Sequence, residues 1–225
     1  MDHGQGRPGG TEGQPEISRV RARSLLAGLA AACCCAAVQA AGEPERRLAA
    51  ELVVVAGDVR RLKNGEGGVQ EREGLAMRIR GALASLPMSF RRANLDPAPA
   101  RSLHGLAGRA DWGALSATFV MMMQRHPFDA RSILVAAPTP EMLALGATIH
   151  RTTCAGCHSV SAADSLLPAK NLAEQLAGMP REEFAARLLL GVRGDKTTAW
   201  RNPFSDFELA ALIAHYSNAL PAQAR

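Results

Sequence analysis

Cys154-Ala155-Gly156-Cys157-His158 is the most informative segment of this 225-residue chain. Two cysteines separated by two residues and followed by histidine, C-x-x-C-H, form the pattern at which haem is attached covalently. On one helical turn the two thiols lie on the same side, where they can add to the two vinyl groups of a haem. The histidine then comes under the iron as an axial ligand. The segment therefore predicts one haem c, held by Cys154 and Cys157 and ligated by His158.

Two other kinds of site also use paired cysteines. A redox dithiol of the thioredoxin type needs a strand–helix setting, and no convincing strand pattern lies near the motif. A structural zinc site needs further ligands, usually a second pair of Cys or His residues. The only other cysteines, Cys33, Cys34 and Cys35, lie in a segment that we expect to be cleaved. Haem attachment is therefore the favoured interpretation.

Helix signals flank the motif on both sides. Before it, Thr139 and Pro140 combine a capping hydroxyl with proline at the first helical position. After it, Pro180 opens a middle helix with acidic residues in its first turn. Ser205 and Glu208 then form a capping box at the start of a last helix. These signals predict an all-α region around the motif.

With these elements, residues 138–221 resemble a class I cytochrome c domain, and the resemblance covers a little over a third of the chain. The matching features are a first helix containing Gly146, the C-x-x-C-H motif, Pro168, a middle helix and a capped last helix. In that family the glycine of the first helix lets the last helix cross it closely. The resemblance therefore implies a contact between Gly146 and the region of His215 and Tyr216.

The resemblance also implies surroundings for the haem. The carbonyl of Pro168 would accept a hydrogen bond from His158. The family usually has a methionine before the last helix as the sixth iron ligand, but Asn202 stands there in this chain. Because asparagine is a poor iron ligand compared with a thioether or an imidazole, we expect an open or weakly occupied sixth position. Trp200 is expected to cover a haem edge or the core of its own loop.

Several other side chains could supply a sixth ligand, and the sequence leaves them open. They are Met179 and Lys196 near the haem segment, and Met121–Met123 and His126 further upstream. The three consecutive methionines are expected to serve mainly in packing, because methionine commonly fills gaps in a core. His150 and His215 occupy positions at which the family often has Tyr or Phe. We expect both to pack in the helix crossing and not to reach the iron.

Residues 1–40 are predicted to be an export signal with a disordered leader. A basic region with Arg19, Arg21 and Arg23 precedes the apolar run 25–38, and small residues ending at Ala40 suit a cleavage site. The run is shorter than the roughly 20 apolar residues of a membrane span. We expect a periplasmic protein of a bacterium without a membrane anchor. Lipidation at Cys33 is the alternative.

Residues 41–130 are predicted to form a small helical bundle. Apolar residues repeat at helical spacing in a first helix that ends at Asn64-Gly65, and in a second that ends at Pro87. Asp111 caps a further helix. The bundle contains no C-x-x-C-H, so it is not a second haem domain, and a proline-rich linker joins it to residues 138–221.

Composition and charge limit the function. Only 4% of the residues are aromatic, and the net charge is +5. Residues 1–40 hold four basic and three acidic side chains, so the rest of the chain carries a net charge of +4. That balance is too weak to indicate nucleic-acid binding.

These features favour an exported monohaem cytochrome that transfers single electrons to or from a redox partner protein. One alternative is a haem enzyme or ligand-binding protein with an open sixth position, and another is a haem-relay subunit of a larger oxidoreductase. Catalysis is less favoured because the sequence offers no clear distal Arg–His pair.

Overall fold

The computed structural model describes residues 42–158, 169–191 and 203–220. Within these ranges 75% of the residues are helical and none lies in a strand, which confirms the all-α class. The predicted signal at 1–40 lies outside the described residues, as do Pro168, Trp200 and Asn202. No helix of the described ranges is long and apolar enough to cross a membrane.

The first part of the described chain contains three long helices and two short ones. They are α1 (Glu43–Lys63), α2 (Val69–Arg92), α3 (Ala98–Arg101), α4 (Leu103–Gly108) and α5 (Trp112–Arg125). The predicted end of α1 at Asn64 and the predicted cap of α5 are both confirmed, since the Asp111 side chain accepts a hydrogen bond from the Ala114 N–H.

The prediction that α2 ends at Pro87 is wrong. The helix continues through this proline to Arg92. A proline inside a helix removes one backbone hydrogen bond and crowds the preceding turn. The turn that follows it places Phe90 in the core with only 2% of the side chain exposed, and burying a large aromatic ring offsets much of that cost.

Helix α1 lies between α2 and α5 and supplies the centre of one apolar core. Its predicted stripe of Leu48, Leu52, Val55 and Val59 is buried. The residues that pack with this stripe come from α2, α4 and α5 and include Ile79, Leu83, Leu86, Leu103, Leu115 and Phe119.

The second part contains the C-x-x-C-H motif and the helices around it. These are α6 (Pro140–Ile149), a π-helical turn (His150–Cys154), α7 (Ala155–His158), α8 (Leu172–Ala177), α9 (Arg181–Leu190) and α10 (Asp206–Ala219). The predicted caps are present at Thr139 and at Ser205 with Glu208. Gly191 ends α9 with φ of 69°, a left-handed conformation that glycine adopts without strain.

Helix α1 also belongs to the core of this second part. Ala49, Ala50 and Val54, on a different face from the first stripe, pack in one cluster with Phe184 of α9 and Leu212 of α10. The described residues from 42 to 220 fall in one compact unit. The predicted division into residues 41–130 and 138–221 stays a prediction, and the structure adds that both parts bury side chains of α1.

Helices α6 and α10 cross at very short range. A Cβ on Gly146 would lie 2.1 Å from the backbone oxygen of Ala211 and 2.9 Å from Cβ of His215. Only a residue without a side chain leaves room for this approach. The predicted close contact between Gly146 and the region of His215 is therefore confirmed.

A buried carboxylate of α1, Asp58, joins three helices. Its side chain is 2% exposed and accepts hydrogen bonds of 2.6 Å from Nε and Nη2 of Arg78 in α2. It also accepts a bond of 2.5 Å from Arg187 in α9 and one of 3.2 Å from Arg61 in its own helix. No pattern in the sequence marked Asp58, because it lies within an otherwise apolar stretch of helix.

A second buried carboxylate, Glu183 of α9, faces α1. Its oxygens accept bonds of 2.9 Å from Arg60, 2.8 Å from Arg61 and 2.8 Å from Arg187. Gly57 makes room for it, since a Cβ there would lie 2.3 Å from the carboxylate. Glu183 was predicted only as an acidic residue of the first helical turn. We call Asp58, Glu183 and the arginines that bind them the ion cluster.

Asp58→Asn should lower the free energy of unfolding by about 3–5 kcal/mol, because removing one partner of a buried ion pair leaves the others uncompensated. Chemical denaturation of the two proteins measures this difference. Asp129→Asn is the control. Asp129 binds Arg131 at 2.6 Å, but both side chains are at least half exposed. Because exposed ion pairs contribute little to stability, the midpoint of chemical denaturation should not move. Equal effects of the two substitutions would contradict the role of the ion cluster.

The same variant tests the pH dependence. Burial by itself would raise the pKa of Asp58, but Arg78 and Arg187 outweigh it and hold this pKa below its ordinary value. Because the pKa is lower in the folded state, Asp58 stabilises the fold above its unfolded pKa of about 4, and the contribution is lost as the pH falls through the folded value. The free energy of unfolding should therefore decline below about pH 4 more steeply in the wild type than in Asp58→Asn.

Gly146→Ala should lower the free energy of unfolding by at least about 1–3 kcal/mol, because the new methyl group meets a backbone carbonyl that cannot rotate away. Gly81→Ala is the matched control. Gly81 lies inside α2, and a Cβ there would meet nothing within 4 Å, so this change should stabilise the protein by about 0.5–1 kcal/mol. Thermal unfolding of both variants checks the sign, and a neutral Gly146→Ala would contradict the close crossing.

Candidate haem-attachment site

The C-x-x-C-H motif is helical, as predicted. Helix α6 runs through the π-helical turn, which ends at Cys154, directly into α7, which contains Cys157 and His158. Both cysteines are free thiols, with Cys154 half-buried and Cys157 exposed. Their spacing on a helical turn puts both thiols on one side of the chain.

His158 is oriented by a backbone carbonyl. Its Nδ1 lies 2.7 Å from the oxygen of Lys170. A carbonyl can only accept, so Nδ1 carries the hydrogen and Nε2 is the nitrogen left to bind a metal. Histidine ligands are commonly held in this way. The resemblance implied Pro168 as the acceptor. Pro168 lies outside the described residues, and the acceptor found is two residues further along the chain.

The segment that supplies this carbonyl is tied to α2. Nζ of Lys170 lies 2.7 Å from Oε1 of Glu71, and 63% of the lysine side chain is exposed. The hydrogen bond from Lys170 and the N–H of Gly68 hold the pKa of Glu71 below its usual value. An exposed ion pair of this kind contributes about 0–1 kcal/mol to stability, so it holds the segment near α2 only weakly.

Tyr216 of the last helix contacts the π-helical turn that ends at Cys154. The tyrosine hydroxyl lies 3.2 Å from Nδ1 of His150, the first residue of that turn. The ring centroids of His150 and His215 are 5.5 Å apart, which confirms that both histidines pack in the helix crossing. Burial raises the pKa of the Cys154 thiol and that of Tyr216. No pattern in the sequence signalled the hydrogen bond between Tyr216 and His150.

Among the side chains left open as sixth ligands, Met179 is held on the side of α1. Nη2 of Arg61 donates to its sulfur at 3.9 Å, and Met179 packs against the core that α1 shares with α9 and α10. A sulfur engaged by a guanidinium group has to be released before it can bind iron. Lys196 and Asn202 lie outside the described residues.

The candidates from the first part of the chain are used in packing or exposed to solvent. Met122 is buried in the core around α1, Met123 packs against that core, and Met121 is 52% exposed. The ring of His126 packs edge-on against Phe90 with 5.6 Å between centroids. Burial and the charge of Arg125 lower the pKa of His126.

Outside the motif, the described ranges offer no second candidate metal site. Within residues 42–158, 169–191 and 203–220 no group of three or more His, Cys, Asp or Glu side chains is arranged to hold a metal ion. Two clefts of about 160 and 530 Å³ are lined by residues between 127 and 138 together with parts of α9 and α10. Neither is lined by a residue of the C-x-x-C-H motif.

Comparison of this chain with protein-family models, with curated proteins and with solved structures found no match. The function of the chain has to be inferred from its own residues.

The residues of the motif fit a covalently bound haem. Its two thiols are free and lie on one helical turn. The imidazole of His158 has one nitrogen satisfied by the Lys170 carbonyl and the other left to bind iron. Two cysteines that can form thioethers with the vinyl groups, and one histidine that can bind the iron, are the residues by which a c-type haem is held.

Proposed function

We propose that this chain is an exported c-type cytochrome with one covalent haem, which passes single electrons to or from a redox partner protein. Cys154 and Cys157 would hold the haem and Nε2 of His158 would bind its iron. The observation that carries the proposal is the helical C-x-x-C-H motif with Nδ1 of His158 bonded to the Lys170 carbonyl. When bound, the haem supplies a one-electron redox centre.

The protein's own contribution would be to hold the site rigid. An electron carrier works best when its ligands move little between the two oxidation states. The helix with the motif is continuous with α6, which is locked against α10 at Gly146. The Lys170 carbonyl fixes the imidazole plane of His158 and makes its Nε2 a better donor to iron. These features support electron transfer better than chemistry on a substrate.

The proposal places the protein in the bacterial periplasm after cleavage following Ala40. Cleavage there would leave Cys154 and Cys157 as the only cysteines of the mature chain, so both thiols would stay available for haem. Retention at the membrane through lipidation of Cys33 is the alternative arrangement.

A second candidate function is the binding of a small ligand at the iron. It is favoured by Asn202, which stands where the resembling family has its methionine ligand. An open coordination position permits ligand binding but does not provide the acid and base groups that catalysis needs. Electron transfer therefore remains the leading proposal.

The full chain, produced in a bacterium with haem-maturation machinery, should carry one haem that stays with the protein after acid–acetone extraction. Mass spectrometry should show the mass of one haem on the peptide with Cys154 and Cys157. Replacing both cysteines with serine should release the haem, because no thioether can form. Cys34→Ser is the matched control and should change nothing. Haem extracted from the wild type into the organic layer would contradict the proposal.

The ferrous protein should bind carbon monoxide readily, because asparagine is a weak ligand for iron. Asn202→Met should supply a thioether, suppress carbon monoxide binding and raise the reduction potential. Absorption spectra with and without carbon monoxide measure the first effect, and a redox titration measures the second. A near-infrared methionine–iron band in the ferric wild type would show that another methionine already fills the position.

A further inference from the structure

The outer face of α5 is uncharged. From Trp112 to Gln124 the sequence contains no Asp, Glu, Lys or Arg, although the helix lies at the protein surface. One side of α5 packs on α1 and α4. On the other side Val120 is 48% exposed and Met121 is 52% exposed. A helix that is apolar on more than one side is typical of a helix that is covered on more than one side.

The exposed residues of α5 form one stripe along the helix. Gly113, Ala117, Val120 and Gln124 are all exposed and follow one another at intervals of four, three and four residues. This is the spacing at which a helix packs along a partner helix in a coiled coil. A Cβ on Gly113 would have a carboxylate oxygen at 3.7 Å as its nearest neighbour, so there is open space above this residue.

The sizes of the four residues favour a second copy of α5 in the antiparallel orientation. The side chains grow along the stripe, from Gly113 and Ala117 to Val120 and Gln124. In an antiparallel pair, Gly113 faces Gln124 of the second copy and Ala117 faces Val120 of the second copy. Each layer then combines a small with a larger side chain, which fills the space between two helices evenly. A parallel pair would place the two glycines together at one end and the two glutamines together at the other.

The charges at the two ends of α5 favour the same orientation. Asp111 caps the start of the helix and Arg125 is its last residue, and both are exposed. In an antiparallel pair, Asp111 of each copy comes near Arg125 of the other, so two contacts between opposite charges form about the twofold axis. A parallel pair would bring like charges together at both ends. The antiparallel orientation also sets the two helix dipoles against each other favourably.

We propose that this face of α5 is the contact between two copies of the chain, which pack antiparallel about a twofold axis. A helix of 14 residues is only about 21 Å long, and its contact is smaller than the roughly 800 Å² per partner of a standard interface. The dimer is therefore weak and reversible. The contact lies outside the C-x-x-C-H motif, so the inference holds whether or not haem is attached.

Sedimentation equilibrium of residues 41–225, which contain the compact unit, measures this association with a reductant present to prevent disulfides. The wild type should show a reversible monomer–dimer equilibrium with a dissociation constant below about 1 mM. Val120→Glu should raise this constant at least about ten-fold, because a carboxylate of each copy would be buried in an apolar contact. Met77→Glu is the matched control. Met77 is 70% exposed in α2, so the same charge added there should leave the constant unchanged.

Arg125→Gln tests the orientation. In the antiparallel dimer it removes two exposed contacts between opposite charges, so the dissociation constant should rise about five-fold at low salt. The difference should become smaller at high salt, where exposed charges are screened. In a parallel dimer the same substitution would remove a repulsion and strengthen the association.

Three other outcomes overturn the inference. A wild type that stays monomeric up to about 1 mM would exclude the dimer, and a dimer that Val120→Glu leaves unchanged would use another surface. Tighter association of Arg125→Gln would exclude the antiparallel arrangement. Flotation of a monomeric wild type with phosphatidylcholine vesicles, abolished by Val120→Glu, would show that this face meets lipid and not a second copy.

Discussion

Two buried carboxylates, Asp58 and Glu183, impose the strongest constraint on this structure. Their side chains are 2% and 3% exposed, and a charged group so far from water is tolerated only with partners around it. The arginines that satisfy them come from α1, α2 and α9. These three helices therefore have to meet at one place, which is why α1 belongs to both cores.

The candidate site depends on this arrangement through α9. The ion cluster holds α9 on α1, and Phe184 of α9 packs edge-on against Tyr216 of α10. The hydroxyl of Tyr216 in turn lies 3.2 Å from Nδ1 of His150 in the turn that ends at Cys154, while Gly146 lets α10 lie directly on α6. A continuous series of contacts thus leads from the first helix to the motif. The N-terminal helices, which contain no haem motif of their own, contribute to the site by supporting these helices.

Local signals in the sequence predicted most of the secondary structure. Helix caps such as Thr139 and Ser205, and the glycine that ends α9, act within a few residues, so their effect can be predicted without the fold. The continuation of α2 past Pro87 could not be predicted in this way. It depends on where the core receives Phe90, and that is decided by helices far along the chain.

The sequence by itself determined the all-α class and the helical C-x-x-C-H motif, because each follows from residue type at short spacing, whereas the close crossing at Gly146 was implied by the resemblance to a class I cytochrome c domain. Only the tertiary structure decided that Asp58 and Glu183 share arginines, that the Lys170 carbonyl orients His158, and that the Tyr216 hydroxyl reaches His150. Asp58 and Arg187 are 129 positions apart. The partner of a charge or a hydroxyl at such a separation is decided by how whole helices pack, and no local pattern records it.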